Sequence, residues 1–280
     1  MSDDGANAFP TGEAEPILDV RPEDLFRGGH LPEAASIPAD ELPSRLHELP
    51  PAGQRLTVVA DADGRLRVEP LLGRRYELLW VDPEDVPPSR RVRGESRGRL
   101  WRPTALLAAW IDRVPVGGAL DLGCGSGRDA VFLAEHGHDV LAVDRLPDAL
   151  ERAAALARRQ GVSIRTVCAD LRRGPPWDAG AQFEVIGCFY FLPRGLFEVL
   201  PDALAPGGVL LIQTFTDEHA VRFGRPRSPD RVVRAGELPA RLGGLEVLLD
   251  RCLWLRGRQH VCQFAARRPA ADGWPAKPRR

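Results

Sequence analysis

A glycine-rich loop directly after an apolar strand is the feature that most constrains the fold of this chain. Residues 119–122 are predicted to form the strand, and the next five residues, Gly-Cys-Gly-Ser-Gly at 123–127, place a glycine at every second position. Glycine lets the backbone turn sharply out of a strand and approach a ligand without a Cβ atom in the way. A dinucleotide-binding loop would need glycine or alanine at position 128, where this chain has Arg128, so recognition of a diphosphate is disfavoured.

Helices and apolar strands alternate around this loop, which is typical of a parallel sheet covered by helices. The predicted helices are 103–114, 129–135, 147–160 and 194–204, and the predicted strands are 119–122, 139–143, 163–168, 183–188, 208–214, 245–255 and 259–266. The last two strands are separated by a tight turn at 256–258, so they are predicted to form a hairpin.

Acidic residues stand at the ends of the next two strands. Asp144 ends the second strand, 21 residues after Gly123, and Asp170 follows the third. Asp144 can accept hydrogen bonds from both hydroxyls of a ribose, and Asp170 can accept one from an adenine amino group. Because no basic cluster for phosphates accompanies them, the three strand ends describe a pocket for an adenosine derivative without a phosphate.

This combination resembles the class I S-adenosylmethionine-dependent methyltransferases over nearly all of 100–268. The resemblance implies a Rossmann-like seven-stranded sheet with a C-terminal antiparallel hairpin, and S-adenosylmethionine as the cofactor. It also implies the cofactor-binding residues: Asp121 for the amino group, Gly123, Gly125 and Gly127 under the methionine part, Asp144 for the ribose and Asp170 for the adenine, with Cys124, Arg145, Leu171 and Cys188 beside them.

Two further segments are similar to the tellurite-resistance and thiopurine-type branch of that family: GSGRDAVFLA after the loop and TFTDEHAVRFGRPRSPD after the fifth strand. The second segment covers the acceptor site in that branch. The resemblance therefore makes His219 and Arg225 candidates for holding an anionic acceptor or deprotonating a neutral one, and Tyr190, at the exit of the fourth strand, is the third catalytic candidate. His219 as a plain surface histidine is the alternative.

The exit of the fourth strand, Cys-Phe-Tyr-Phe-Leu-Pro at 188–193, is aromatic and apolar. It suits a small, soft or apolar acceptor better than a nucleic-acid base, which would want a basic groove beside it. The expected acceptor is a small molecule such as a thiol or a selenium or tellurium species. Two alternatives stay open, an oxygen, nitrogen or carbon methyltransferase of a small organic metabolite and a non-catalytic cofactor-binding or scaffold protein.

The first part of the chain, 14–82, shows a separate and smaller α/β pattern with a polar loop at 61–67. Its motifs LDVR at 18–21 and GHLPEA at 29–34 resemble the rhodanese-like domain. That family places a persulfide-carrying cysteine where this chain has Asp61, and no cysteine occurs before Cys124. Because sulfur transfer needs a thiolate, the resemblance implies an inactive module with a structural or docking role toward a protein partner, and a sulfurtransferase becomes the weaker alternative.

The composition of the remaining segments indicates how the chain divides into domains and which kinds of partner are excluded. Residues 83–98, rich in proline, acids and arginine, are predicted to link 14–82 to a methyltransferase domain at 99–268, and 269–280 to form a disordered tail. The net charge of −1 argues against nucleic-acid binding, and no apolar run reaches the ~18 residues needed to cross a membrane. The five cysteines show no CxxC spacing, so we expect no disulfide framework, no metal site and a cytoplasmic protein.

Overall fold

The computed structural model describes residues 15–96, 98–255 and 258–270. Its contacts divide the chain into two compact units, with the boundary between Arg102 and Pro103. The predicted turn at 256–258 and the predicted tail lie mostly outside the described residues, since 256–257 and 271–280 are not among them. No helix within the described residues is long and apolar enough to cross a membrane.

The first unit is a four-stranded sheet with short helices. Its elements are β1 (Ile17–Asp19), α1 (Glu23–Gly28), β2 (Ala35–Ser36), α2 (Leu42–Arg45), β3 (Arg55–Val59), α3 (Ala62–Leu72) and β4 (Glu77–Val81). The strands pair in the order β2-β1-β3-β4, all parallel. The central strands bury their apolar side chains, of which Leu18, Leu56 and Val58 are fully inaccessible, so the core of this unit lies on β1 and β3.

The prediction of a polar loop at 61–67 is wrong, because helix α3 begins at Ala62. Asp61 is its N-cap, and its Oδ1 accepts a hydrogen bond of 2.7 Å from the backbone N–H of Gly64. A carboxylate in this position satisfies one of the free amides of the first turn, which stabilises the start of the helix by about 1 kcal/mol.

Residues 83–92, which composition predicts to be a linker, are hydrogen-bonded to the first unit. The backbones of His30 and Val92 exchange two hydrogen bonds of 2.9 Å. The Arg91 guanidinium donates to the carbonyls of Val86 and Pro83. Paired backbone groups thus hold a stretch that has little apolar surface to bury.

The second unit contains the glycine loop. Its elements are α4 (Ala105–Trp110), β5 (Gly118–Leu122), α5 (Arg128–Glu135), β6 (Asp139–Asp144), α6 (Pro147–Arg159), β7 (Arg165–Cys168), β8 (Phe183–Phe189), α7 (Leu200–Ala203), β9 (Leu204–Thr216), α8 (Asp217–Phe223), β10 (Val232–Val233), α9 (Glu237–Arg241), β11 (Glu246–Leu255) and β12 (Gln259–Arg267).

These strands form one mixed sheet in the order β11-β12-β9-β8-β5-β6-β7. The pairs from β7 to β9 are parallel, whereas β12 is antiparallel to both β9 and β11. The predicted α/β sheet with antiparallel strands at its C-terminal end is confirmed. The short strand β10, parallel to β9, adds an eighth strand that the sequence pattern did not predict.

Two helices differ from the prediction. The helix predicted at 194–204 is a 3-10 turn at Arg194–Leu196 followed by α7, because Pro201 has no N–H for a bond to residue 197 and fits only in the first turn. Strand β9 then begins at Leu204 rather than 208. Helix α8 was not predicted; the Thr216 hydroxyl caps it by accepting from the His219 N–H at 3.2 Å.

Candidate active site

The glycine loop, residues 123–127, leaves the carboxyl end of β5 with three backbone positions that favour glycine. Gly123, Gly125 and Gly127 have φ angles of 76°, 54° and 81°. A Cβ atom at Gly127 would lie 2.5 Å from the Cβ of Ala153 on α6, so this glycine is required for packing. A Cβ atom at Gly125 would meet no atom within 4 Å, so this glycine borders open space where a ligand can approach.

Backbone hydrogen bonds join this loop to the end of β6. The Val143 carbonyl accepts from the N–H groups of Gly123 (2.8 Å) and Cys124 (3.0 Å). The Asp144 carboxylate accepts from the Gly125 N–H through Oδ2 and from the Leu146 N–H through Oδ1, both at 2.9 Å. The structure thus brings two of the predicted site elements, the loop and the first acid, into direct contact.

Asp121, on β5 beneath the loop, is buried with one oxygen that has no partner. Its exposure is 2%, and among the described residues no group donates a hydrogen bond to Oδ2. Burial raises the pKa of Asp121 well above its usual value, and the nearby charges of Asp129 and Asp144 raise it further. A backbone hydrogen bond from Ala130 opposes this shift. A buried carboxylate oxygen without a donor is costly, so this position favours a ligand that brings a positive charge or a hydrogen-bond donor.

Asp129 at the start of α5 fixes the segment before α4. Its carboxylate accepts from the Thr104 N–H (2.6 Å) and the Thr104 hydroxyl (2.9 Å). Burial raises the pKa of Asp129 to about 6, although both bonds from Thr104 oppose the shift. Sequence reasoning gave Asp129 no role; its place in the first turn of the helix after the loop was the available signal.

Asp170, the predicted adenine ligand, is paired with a neighbour. The Arg172 guanidinium donates to both carboxylate oxygens at 2.9 Å, and this bond lowers the pKa of Asp170 to about 2. The other predicted cofactor residues on this side are near strand ends: the Arg145 carbonyl accepts from the Cys168 thiol at 3.7 Å, and Leu171 is buried.

Both predicted cysteines are poor nucleophiles. Cys188 at the end of β8 is fully buried, and its Sγ lies 3.2 Å from the Phe191 carbonyl. Burial raises the pKa of the Cys188 thiol well above its usual value, and burial also raises the pKa of Cys124. Neither thiol is ionised near neutral pH, which fits packing roles.

Tyr190, directly after β8, is held by two glutamines. Its hydroxyl accepts from Gln213 Nε2 at 2.9 Å and lies 3.2 Å from Gln259 Oε1, to which it donates. Burial raises the pKa of Tyr190 to about 12. Its backbone φ of 56° lies in the left-handed region, which costs of order 1 kcal/mol for a residue with a side chain.

The direction of this hydrogen-bond chain is fixed from its far end. Arg251 donates to Gln263 Oε1 (2.8 Å), so the Gln263 amide nitrogen must donate to Gln213 Oε1 (2.8 Å). The Leu106 N–H donates to the same oxygen, which leaves the Gln213 amide nitrogen to donate to Tyr190. Sequence reasoning missed these glutamines; Gln213 inside the apolar run GVLLIQTF was the visible signal.

His219 on α8 is a buried histidine, so the alternative of a plain surface histidine is wrong. Its exposure is 6%, and its ring stacks on Phe215 with centroids 4.5 Å apart. The backbone N–H of His260 donates to Nδ1 at 3.3 Å. A backbone N–H can only donate, so Nδ1 must be the acceptor nitrogen of the ring. The neutral ring therefore carries its proton on Nε2. Burial lowers the pKa of His219, as do His260 and Arg225.

An aromatic row surrounds His219. Neighbouring rings lie 4.5–6.2 Å apart along Tyr190, Phe215, His219, Phe223, Trp254 and His260. Phe223 and Trp254 also contact the Arg222 guanidinium. Sequence reasoning named Tyr190 and His219 but missed Trp254 and His260, which come from the antiparallel hairpin.

The chain is similar in sequence to known methyltransferases. Residues 119–208 match a protein family described as Methyltransferase domain. Trans-aconitate 2-methyltransferase of Sinorhizobium fredii is 34% identical over 116 residues, which cover 40% of this chain and 44% of that protein. The chain therefore spans less than half the length of this curated relative.

Two further similarities cover more of the chain at lower identity. The uncharacterized protein UNK4.09 of Schizosaccharomyces pombe is 23% identical over 83% of this chain and 87% of its own length. The solved structure of the N-methyltransferase NodS from Bradyrhizobium japonicum, in complex with S-adenosyl-L-homocysteine, is 21% identical, with a TM-score of 0.48 over 59% of this chain and 84% of that one.

The residues at the strand ends fit S-adenosylmethionine, whose methionine part carries an ammonium group and whose ribose carries two hydroxyls. The unpartnered, buried Asp121 Oδ2 can accept from the ammonium. Each Asp144 oxygen accepts one backbone N–H and retains capacity for a hydroxyl. The open space at Gly125 leaves room for the part of the cofactor that lies between its ammonium group and its ribose.

Proposed function

We propose that this chain is an S-adenosylmethionine-dependent methyltransferase, which the match of residues 119–208 to a methyltransferase-domain family supports. Its acceptor is proposed to be a small molecule that arrives already ionised or as a soft nucleophile. The cofactor supplies an electrophilic methyl group bound to a sulfonium sulfur. The protein's residues then need to align the acceptor with that methyl group and to exclude water.

None of the described side chains of the acceptor region is a usable general base, and this observation carries the proposal. The acceptor region is defined here by Tyr190, Phe215 and His219, at the exits of β8 and β9. Among its described side chains, the Tyr190 hydroxyl donates to Gln259, and its pKa is raised to about 12 by burial. The lone pair of His219 at Nδ1 is occupied by the His260 N–H. A neutral alcohol or ammonium acceptor would need a proton acceptor here, whereas a carboxylate or thiolate would not.

Two features favour a negative charge on the acceptor. The neutral His219 ring carries its proton on Nε2, so it acts there as a hydrogen-bond donor. Arg225 lies close enough to lower the pKa of His219 through its positive charge. Trans-aconitate, named in the relative from Sinorhizobium fredii, is a carboxylate anion, which supports the same acceptor class.

Within that class we propose soft anions, such as a thiolate or a selenium or tellurium species, as the first acceptors to test. The aromatic rings of Phe215 and Tyr190 give a polarisable, weakly hydrated wall that suits a soft, large anion. This choice would place the chain in the tellurite-resistance and thiopurine-type branch. Asp144, Asp170 and the glycine loop are proposed to bind the cofactor, and Tyr190, His219 and Arg225 to shape the acceptor site.

We propose that the first unit is a rhodanese-like module without sulfur-transfer activity. By that resemblance, Asp61 corresponds to the persulfide cysteine, and in this structure its carboxylate caps α3. A docking role toward a protein partner is proposed for this unit, and a cytoplasmic location for the chain, since its five cysteines show no CxxC spacing.

The test is an acceptor panel assayed by release of S-adenosylhomocysteine from the full chain. It includes small thiols, selenite, tellurite and trans-aconitate, with alcohols and amines of similar size. We expect turnover only with the ionised members, at a rate that follows the ionised fraction of each thiol. Turnover of a neutral alcohol, with a rate that rises through a histidine-like pKa, would contradict the proposal.

The matched control is Arg225→Gln, compared with Arg227→Gln two residues away. Both arginines are exposed, but only Arg225 acts on the pKa of His219. Arg225→Gln is expected to raise the KM for anionic acceptors several-fold, and Arg227→Gln to leave it unchanged. Equal effects of the two variants would show that the charge of Arg225 has no specific role.

A further inference from the structure

Two cysteines lie directly opposite each other in the C-terminal hairpin, outside the cofactor and acceptor sites. Cys252 on β11 pairs with Cys262 on β12 in the antiparallel register. Residues opposite each other in such a pair have Cα atoms about 4.5 Å or 5.5 Å apart, depending on the hydrogen-bonding position. Both separations lie within the range of about 4.4–6.8 Å that a disulfide spans. The register therefore allows a bond without moving the backbone.

The side chains of the two residues face each other. Residues opposite each other in an antiparallel pair have neighbouring side chains on one face of the sheet, so Cys252 and Cys262 are adjacent. Burial raises the pKa of the Cys252 thiol, and the neighbouring Cys262 opposes this shift. Asp250, two residues before Cys252 and on the same face of β11, has its Oδ1 3.8 Å from Cys262 Sγ. The two cysteine side chains are thus neighbours on one face of the hairpin in the free dithiol form.

The two thiols differ in accessibility. Cys252 lies on the edge strand and is exposed, whereas Cys262 is 3% exposed, between β11 and β9. A small reagent in solution can reach only the first sulfur. The buried Cys262 sulfur is positioned to attack an adduct formed on the Cys252 sulfur, at an effective concentration on the order of molar or higher.

We propose that Cys252 and Cys262 are a modification site that forms a reversible cross-strand disulfide by exchange with a low-molecular-weight disulfide. The Cys252 thiolate attacks one sulfur of the reagent, which releases one thiol and leaves a mixed disulfide on Cys252. The Cys262 sulfur then attacks Cys252 Sγ, gives up its proton and expels the second thiolate, which takes up a proton to become the second thiol. The protein loses two protons and two electrons, and one reagent disulfide takes them up to become two thiols.

The experiment treats the reduced full chain with oxidised glutathione, quenches with acid and analyses intact mass and peptide maps. We expect the wild type to contain a Cys252–Cys262 linkage with no glutathione on either residue. Excess dithiothreitol should reverse it. The exposed thiol of Cys168 lies opposite Asp144 rather than another cysteine. It is an internal reference, since it should acquire glutathione and keep it.

Two variants separate the steps. Cys262→Ala should retain glutathione on Cys252 at least about tenfold more than the wild type, because the resolving sulfur is missing. Cys252→Ala should show no modification at Cys262, which is buried. Each variant is first checked for native structure by circular dichroism, and the linkage in the wild type is a readout that does not depend on them.

Three results would overturn the inference. The first is a wild type that keeps glutathione on Cys252, the second is no reaction at Cys252 while Cys168 reacts, and the third is a linkage from either cysteine to another residue or chain. Each would show that the opposed pair does not act as one site.

Discussion

The cofactor region and the acceptor region of the second unit differ in how their polar side chains are hydrogen-bonded. Around the glycine loop, carboxylates accept from backbone amides, and Asp121 is left with a buried oxygen that has no partner among the described residues. Around Tyr190 and His219, polar side chains are bonded to one another and to the backbone. The first region is built to gain a cationic ligand, whereas the second can orient an acceptor but offers little acid–base chemistry.

The largest effect should come from Gly125→Val in the cofactor region. The variant places a branched side chain in the open space of the loop and adds strain at a φ of 54°. We expect the affinity for S-adenosylmethionine to fall more than about 100-fold, or roughly 3 kcal/mol, by calorimetry. Gly161→Val is the matched control, since Gly161 has a φ of 68° and an equally open environment at the end of α6. If both variants bind alike, the ligand does not pass Gly125.

Asp144→Ala should weaken cofactor binding by about 1.5–3 kcal/mol, because it removes charge-assisted hydrogen bonds to the ribose. It also frees the Gly125 N–H, which the carboxylate now holds. Asp139→Ala, at the exposed start of the same strand, is the control and should not change affinity. An unchanged dissociation constant for Asp144→Ala would disprove the ribose assignment.

The cofactor region could be predicted because its residues are local in sequence. The loop and the acid at the end of β6 follow from strand ends and glycine spacing within about thirty residues, and the hydrogen bond between Gly125 and Asp144 bears out their proximity. The pairing of side chains was not predictable in the same way. Arg172 donates to the Asp170 carboxylate, and this interaction depends on side-chain rotamers rather than on the sequence pattern.

The acceptor region could be predicted only in part, because distant segments assemble it. Gln213 meets Gln263 fifty residues later, and this contact depends on the register of β12 against β9, which apolar alternation does not fix. His219 was named from the resemblance, but its tautomer depends on the backbone of His260. Helix α8 begins at a cap formed by Thr216, a short polar signal just after the predicted fifth strand.

Asp121→Asn should change cofactor affinity and stability in opposite directions. The folded-state pKa of Asp121 is raised above its unfolded value, so the contribution of this carboxyl group to stability is fully present below about pH 4 and is lost as pH rises toward the folded-state pKa. Asparagine removes that penalty, and we expect the free energy of unfolding at pH 7 to increase by about 1 kcal/mol without ligand. Cofactor affinity should fall about tenfold, since a neutral amide accepts more weakly from an ammonium.

Urea unfolding with and without S-adenosylmethionine measures both effects of Asp121→Asn. Asp139→Asn, an exposed acid on β6, should change neither quantity. A variant that is less stable without ligand would mean that Asp121 has a partner that the cofactor merely replaces.

The smallest effect on methyl transfer should come from Tyr190→Phe, in the acceptor region. The Tyr190 hydroxyl already donates to Gln259, and its pKa of about 12 excludes it as a base near neutral pH. We expect kcat/KM to stay within about threefold of wild type from pH 7 to 9, because no proton leaves through this oxygen. The free energy of unfolding should fall by about 1–3 kcal/mol, since Gln213 and Gln259 lose a partner. A rate loss above about 100-fold, with a changed pH profile and unchanged stability, would instead make Tyr190 a catalytic residue and remove the contrast between the two regions.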